Sequence, residues 1–194
     1  MSRNKKNHQT RWIAVIFIWT FVLAVILGFF VRFFVGADYP LTISIFILLA
    51  VILLGILFDM IGTSAAAADI APLNAKAARK VFGARRSVYL VQHAGQVANF
   101  CNDVVGDISG IISGTLTAII VLRMAQYLSL EIMELYAGIL LAGLVASMTV
   151  GGKAWGKSVA ISKSTEVMLM VGKVLTHLES PVRWINRLKR GELR

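Results

Sequence analysis

The chain has 194 residues, of which 57% are hydrophobic and only 15% are charged. A soluble domain carries charge on about a quarter of its residues, so this composition argues against a soluble globular protein. The formal net charge is +10, but no aromatic residues interleave with the basic ones to stack on bases, which argues against a nucleic-acid partner. The single cysteine, Cys101, excludes an internal disulfide.

The first apolar run, Trp12 to Val31, contains no charged residue and follows a basic N-terminal lead. Crossing the hydrocarbon core takes about 20 helical residues, and this run has that length. A secretory signal peptide shares the basic lead, and residues 35–37 resemble a weak cleavage site. Because the run is longer than a signal-peptide core and Arg32 precedes that site, we expect residues 1–40 to contain a retained transmembrane helix.

The second apolar run extends from Leu41 to about Met60 and is followed by small and polar residues. We expect Thr63 and Ser64 to interrupt the end of this span. Asp59 and Asp69, which flank the interruption, are expected to be solvated near the inner surface. Basic residues then alternate with apolar ones over about residues 70–93, which predicts amphipathic helices at the membrane interface.

The third span is predicted from about Val97 to Leu122 and the fourth from about Leu130 to Val150, with Arg123 in the turn between them. Residues 161–194 have apolar side chains at helical spacing and a basic end. They predict a cytoplasmic helix that lies against the membrane or the helix bundle.

Lysine and arginine residues indicate the orientation. The N-terminal lead, the basic middle segment and the tail from residue 151 onward contain four, five and nine of them, and only Arg32 and Arg123 lie elsewhere. Such residues accumulate on the cytoplasmic side. We therefore predict an all-α integral membrane protein of the cell membrane, with four transmembrane helices, amphipathic cytoplasmic-side helices and both termini in the cytoplasm.

Polar residues in the third span predict a cation site. Asn99, Asp103 and Asp107 are four residues apart and would share one face of an α-helix, with Asn102 beside them. Carboxylate, amide and hydroxyl oxygens are ligands of hard cations, so these four residues and Ser64 are the predicted metal ligands, facing other helices. Alternatively, the two aspartates bond to hydroxyl groups of other helices or pair with a lysine. The histidines and Cys101 show no spacing typical of zinc or copper.

Gly106, Gly110 and Gly114 in the same span form two G-x-x-x-G motifs, which allow close packing of a second helix. We find no nucleophile–base motif, metalloprotease motif or phosphate-binding loop. We therefore predict that the protein is not an enzyme.

From Leu41 to its end, the chain resembles the transmembrane domain of the CorB/CorC/CNNM magnesium-transport family. The resemblance rests on four segments, which are Gly62-Thr63-Ser64, Asn74 to Arg79, Gly95 to Asn102 and Gly152 to Ala160. It implies a three-span core over residues 41–160, a membrane-embedded homodimer and Mg²⁺ as the bound divalent cation. The family's paired CBS domains have no counterpart here, so we expect no nucleotide control within this chain.

The chain departs from the family at the fourth segment. Lys153 replaces the family's glutamate and Gly156 its proline, while Lys157 and Ser158 match. An ammonium group at Lys153 would repel Mg²⁺ or pair with Asp103 or Asp107. Two functions follow: a Mg²⁺ (divalent cation) transport or efflux protein, or a non-transporting relative that acts as a membrane scaffold or regulatory partner. A third is a scaffold whose basic tail binds anionic lipid.

Overall fold

The computed structural model describes the backbone of residues 3–34, 40–128 and 131–189. A short loop is predicted between the first two spans, at residues 36–40, and it lies outside these ranges except for Pro40. All regular structure in the described ranges is helical, as predicted. The helices are α1 (Arg3–Phe34), α2 (Leu41–Ala67), α3 (Ile70–Ala78), α4 (Ala84–Gln92), α5 (Ala94–Ala98), a π-helical segment (Asn99–Gly106), α6 (Asp107–Leu128), α7 (Glu131–Ser162) and α8 (Ser164–Lys189).

Three stretches of the described chain are long and apolar enough to cross a membrane, namely Leu41–Ala67, Ala94–Ala125 and Tyr136–Ser162. They overlap the second, third and fourth predicted spans. The first predicted span falls in α1, whose described apolar stretch, Ala14–Phe29, is shorter than a span. The span in α1 and the orientation of the termini therefore remain predictions.

Several helix bounds differ from the predicted ones. The expected interruption at Thr63 and Ser64 is wrong, because α2 continues to Ala67. Ser64 is fully buried, and its hydroxyl donates to the carbonyl oxygen of Ala160 at 3.3 Å. A polar side chain with a partner on a neighbouring helix need not break its own helix. Similarly, α7 extends to Ser162, well beyond the predicted end at Val150.

The chain divides into two compact units, and the first comprises Met1–Ile56 and Asp103–Lys153. Its core is formed by buried aliphatic side chains of α2, the end of the π-helical segment, α6 and α7. Arg123 lies inside α6 and not in the predicted turn, and its guanidinium group donates to the buried hydroxyl of Ser44 at 3.2 Å. The core residues are Leu48, Ile52, Val104, Ile108, Ile112, Leu116, Ile120 and Val145.

The second unit comprises Leu57–Asn102 and Ala154–Arg194. Here α3 and α4 pack on α8 around Leu73 and Met168, which are both fully buried. Burial of such a side chain contributes about 1.5–3 kcal/mol. Ser87 of α4 donates to the carbonyl oxygen of Met168 at 2.8 Å. The segment predicted to form amphipathic helices, residues 70–93, thus contains α3 and α4, and the predicted tail segment contains α8. Their interfacial and cytoplasmic placement stays a prediction.

Candidate functional site: buried oxygens near the end of helix α2

Asp59 is a buried carboxylate in the second unit. It lies near the C-terminal end of α2 and is only 4% exposed, so the expectation that it is solvated is wrong. Its Oδ2 atom accepts no hydrogen bond from the residues that the structure describes. The nearest cationic group is the ammonium group of Lys157, whose Nζ lies 3.7 Å from Oδ2. This distance gives electrostatic attraction but is too long for a hydrogen bond.

Thr63 and Asn102 add two further oxygens to the same region. Thr63 follows Asp59 by four residues and therefore lies on the same face of α2. The side chain of Asn102 packs directly on Gly62, where even a Cβ atom would overlap its Oδ1. Among the described residues, the buried side-chain atoms without a hydrogen-bond partner are Asp59 Oδ2, Thr63 Oγ1 and Asn102 Oδ1. We call these three residues the oxygen cluster.

The oxygen cluster is energetically unusual. A buried polar atom without a partner costs about 1–3 kcal/mol, and most native proteins leave few such atoms. Here the unpartnered atoms are gathered around one turn of α2 and are all acceptor-capable oxygens. Oxygens left in this way suit a group that donates hydrogen bonds to them or a cation that they coordinate.

The donor chemistry of the oxygen cluster suits a hard cation. It contains one carboxylate, one hydroxyl and one amide group, and Mg²⁺ is commonly held by one or two carboxylates while it keeps several waters. The described residues contain no group of three or more His, Cys, Asp or Glu side chains placed to hold a metal ion. The site is therefore not of the His- and Cys-rich type that zinc or copper requires.

Three of the five predicted metal ligands lie in the second unit. Asn102 belongs to the oxygen cluster. Ser64 is next to Thr63 in α2, and its hydroxyl already donates to Ala160. Asn99 is half-buried at the start of the π-helical segment.

The other two predicted ligands, Asp103 and Asp107, lie in the first unit and are exposed. The other helices of the described chain therefore do not enclose these two side chains, and their role as ligands stays a prediction. The face that packs into the core is occupied by Val104, Ile108 and Ile112, which leaves both aspartates on the outer side of the helix.

The π-helical segment also changes the predicted register. The shared face of Asn99, Asp103 and Asp107 assumed α-helical turns throughout. Residues Asn99–Gly106 instead form a wider helix, and such segments frequently mark functional sites. Lys153, the predicted charge partner of the aspartates, donates from its Nζ to the carbonyl oxygen of Gly106, the last π-helical residue, at 3.3 Å.

Asp59 and Thr63 were not among the predicted ligands. The signal that could have identified them is a carboxylate and a hydroxyl four residues apart at the end of an otherwise uncharged span. Helix α7 contacts this turn of α2, because Lys157 lies near Asp59 and the carbonyl oxygen of Ala160 accepts from Ser64. The fourth span was predicted to end at Val150, before the residues that make these contacts. The sequence therefore did not predict that this helix packs against the end of α2.

Comparison of the chain with protein-family models, with curated proteins and with solved structures gives no match. The resemblance to the CorB/CorC/CNNM family therefore remains a prediction from the quoted residues.

Proposed function

We propose that this protein is a multi-pass membrane protein that binds and transports a hard divalent cation, with Mg²⁺ as the first candidate. The observation that supports this most is the set of three unpartnered buried oxygens at Asp59, Thr63 and Asn102. Three apolar helices of spanning length support the membrane setting. The resemblance to the CorB/CorC/CNNM family implies Mg²⁺ as the cation.

In this proposal, Asp59 supplies the charge, and Thr63 and Asn102 supply neutral oxygens. Mg²⁺ needs about six oxygens and gives up water reluctantly, so waters complete its shell. The roles of Ser64, Asn99, Asp103 and Asp107 as further ligands remain part of the prediction. Asp103 and Asp107 are exposed carboxylates in a candidate span, and ionisable groups at such positions often mark ion pathways, which suits an entry position for a cation.

A homodimer belongs to the same proposal. The first unit has a groove of about 570 Å³ between α6 and α7, lined almost entirely by small and apolar residues. Gly110 and Gly114 line this groove, and a Cβ atom at either position would meet nothing within 4 Å. Small residues on an open face allow a second transmembrane helix to approach closely.

The proposal is tested by isothermal titration of the purified full-length protein with Mg²⁺, Mn²⁺ and Na⁺. Asp59→Asn should weaken Mg²⁺ binding by at least about tenfold, since changing even an outer partner of a metal ligand costs about that much. Asp69→Asn is the matched control, because it removes the same charge nearby. Asp69 is exposed and accepts a hydrogen bond from Ala71, and asparagine caps a helix equally well.

An unchanged Mg²⁺ affinity in Asp59→Asn, or an equal loss in the control, would overturn the oxygen cluster as the site. Asp103→Asn and Asp107→Asn complete the set. A loss confined to those two variants would place the cation at the aspartates predicted from the sequence. Melting curves of each variant without cation separate loss of binding from loss of folding.

Lys157 favours a second candidate, a non-transporting relative that serves as a membrane scaffold or regulatory partner. An ammonium group already lies 3.7 Å from Asp59 Oδ2 and could take the place of a bound cation. The sequence pointed to Lys153 for that role, whereas the geometry favours Lys157. The native protein would then bind no divalent cation in the titration.

A further inference from the structure

A second cavity lies at the turn between α3 and α4, in the part of the second unit that also contains α8. Its volume is about 630 Å³. Lys80, Arg85 and Arg86 contribute its cationic groups, and Tyr89 and Thr176 contribute hydroxyl groups. No carboxylate is among the described residues that line it. The oxygen cluster shares none of these residues.

The side chains that line this cavity carry net positive charge even after the ion pair of Arg86 is counted. Arg86 pairs with Glu179 of α8, which fixes the guanidinium group against the cavity wall. Lys80 and Arg85 are exposed. The cavity lining thus includes two solvent-exposed cationic side chains and a third that an ion pair holds in place.

The backbone holds these cations in a tight turn. Lys80 adopts a left-handed conformation with φ 57°, and the amide of Val81 donates to the carbonyl oxygen of Lys76 at 3.0 Å. Gly83 then precedes α4 as its N-cap residue, and no side chain caps the first turn of the helix. The start of α4 therefore adds the partial positive charge of a helix N-terminus to that of the side chains.

Apolar side chains adjoin the cationic ones. Phe82 is 56% exposed and Tyr89 is 52% exposed, and both lie within three residues of a cavity cation. Aromatic residues of this kind concentrate at the membrane–water interface. The α3–α4 segment connects the candidate spans Leu41–Ala67 and Ala94–Ala125, so it returns to the membrane surface at both ends.

We propose that this cavity binds the phosphate headgroup of an anionic membrane lipid, with Lys80, Arg85 and Arg86 facing the phosphate. Arginine and lysine both bind phosphate oxygens through charge-assisted hydrogen bonds. The exposed Phe82 and Tyr89 favour a lipid over a soluble phosphate, because they supply an apolar surface for the adjoining glycerol and acyl groups. This site does not depend on cation transport.

The test uses the full-length protein in a neutral detergent, titrated with short-chain phosphatidylglycerol, short-chain phosphatidylcholine and inorganic phosphate. The double variant Lys80→Gln/Arg85→Gln should bind phosphatidylglycerol about tenfold more weakly or worse, since each basic residue near an anionic lipid contributes about a factor of five. Lys76→Gln/Arg79→Gln is the matched control. It removes the same charge from the same segment but from residues that do not line the cavity.

Unchanged binding in the control, with the loss confined to the cavity variant, would support the proposal. An equal loss in both double variants would overturn it, because diffuse attraction to the basic segment would then explain binding. Inorganic phosphate that binds as tightly as the lipid, with the same dependence on Lys80 and Arg85, would overturn the lipid as the occupant. Lys80→Asn repeats the test with little risk to the turn, because asparagine tolerates left-handed backbone, and should show a smaller loss.

Discussion

Asp59 and Lys157 form an ion pair without a hydrogen bond between the two charged groups. Asp59 has 5% of its side chain exposed, whereas Lys157 has 51% exposed. A buried carboxylate loses much of its hydration. A half-solvated ammonium group 3.7 Å away offsets only part of the free energy that this loss costs. A divalent cation that lies closer to Asp59 Oδ2 would therefore interact with it more strongly than Lys157 does. The two cations would compete for the same oxygen.

Lys157→Gln should consequently tighten Mg²⁺ binding, by about tenfold or more, since a unit charge about 4 Å away is worth several kcal/mol near a protein surface. The cation-free variant should also melt at a lower temperature, because the buried carboxylate has lost its partner. Titration and melting curves with and without Mg²⁺ measure both effects.

Lys163→Gln is the control for this experiment, because Lys163 is exposed between α7 and α8. Identical behaviour of the two variants would show that Lys157 exerts no influence on the oxygen cluster. Binding that appears only in Lys157→Gln, with none in the native protein, would favour the non-transporting alternative.

At the scale of elements, the contact of the α3–α4 turn with α8 organises the second unit. Gly83 has φ 84°, and a Cβ atom there would lie 2.5 Å from the backbone nitrogen of Lys173. The hydroxyl of Ser87 donates to the carbonyl oxygens of both Gly83 and Met168. The turn therefore fits only because residue 83 lacks a side chain.

Gly83→Ala should destabilise the protein by about 2 kcal/mol or more, because left-handed backbone costs an L-residue about 1–2 kcal/mol and the added carbon overlaps α8. Gly95→Ala is the control. Nothing lies within 4 Å of a Cβ at Gly95, and alanine favours a helix by up to about 1 kcal/mol. Thermal melts in detergent should show a lower midpoint for the first variant and an unchanged or higher one for the second. Equal midpoints would contradict the close packing of this turn.

Element types were predictable where apolar runs are long, whereas several helix ends were not. The residues that misled the prediction are small or polar ones such as Gly62 and Ser64, which have weak helix propensity. In the structure, Gly62 makes room for Asn102, and Ser64 bonds to Ala160. Both contacts are made with neighbouring helices that are distant in sequence, so no local sequence pattern could have predicted them.

At the scale of the whole molecule, the distribution of basic residues predicts the orientation in the membrane. The basic α3–α4 segment and α8 should face the cytoplasm together, because segments rich in Lys and Arg stay on that side. The two termini should lie there as well. This prediction follows from charge alone and does not depend on which cation is bound.

A membrane-impermeant maleimide tests the orientation in intact cells. Asp38→Cys should react directly, because residue 38 lies in the predicted outer loop. Lys163→Cys should react only after the membrane is permeabilised. The native chain provides the background, since Cys101, its one cysteine, is buried. Reaction of Lys163→Cys in intact cells would reverse the predicted topology.

The sequence by itself determined the helical class, the three stretches of spanning length and the amphipathic character of residues 70–93. These properties depend on composition and on the period of apolar residues, which are local. The tertiary structure alone decided that Asp59 is buried and that Asp103 and Asp107 are exposed. The burial of a polar side chain depends on which helix covers it, and the helix that contacts Asp59 comes from a segment about 100 residues away along the chain.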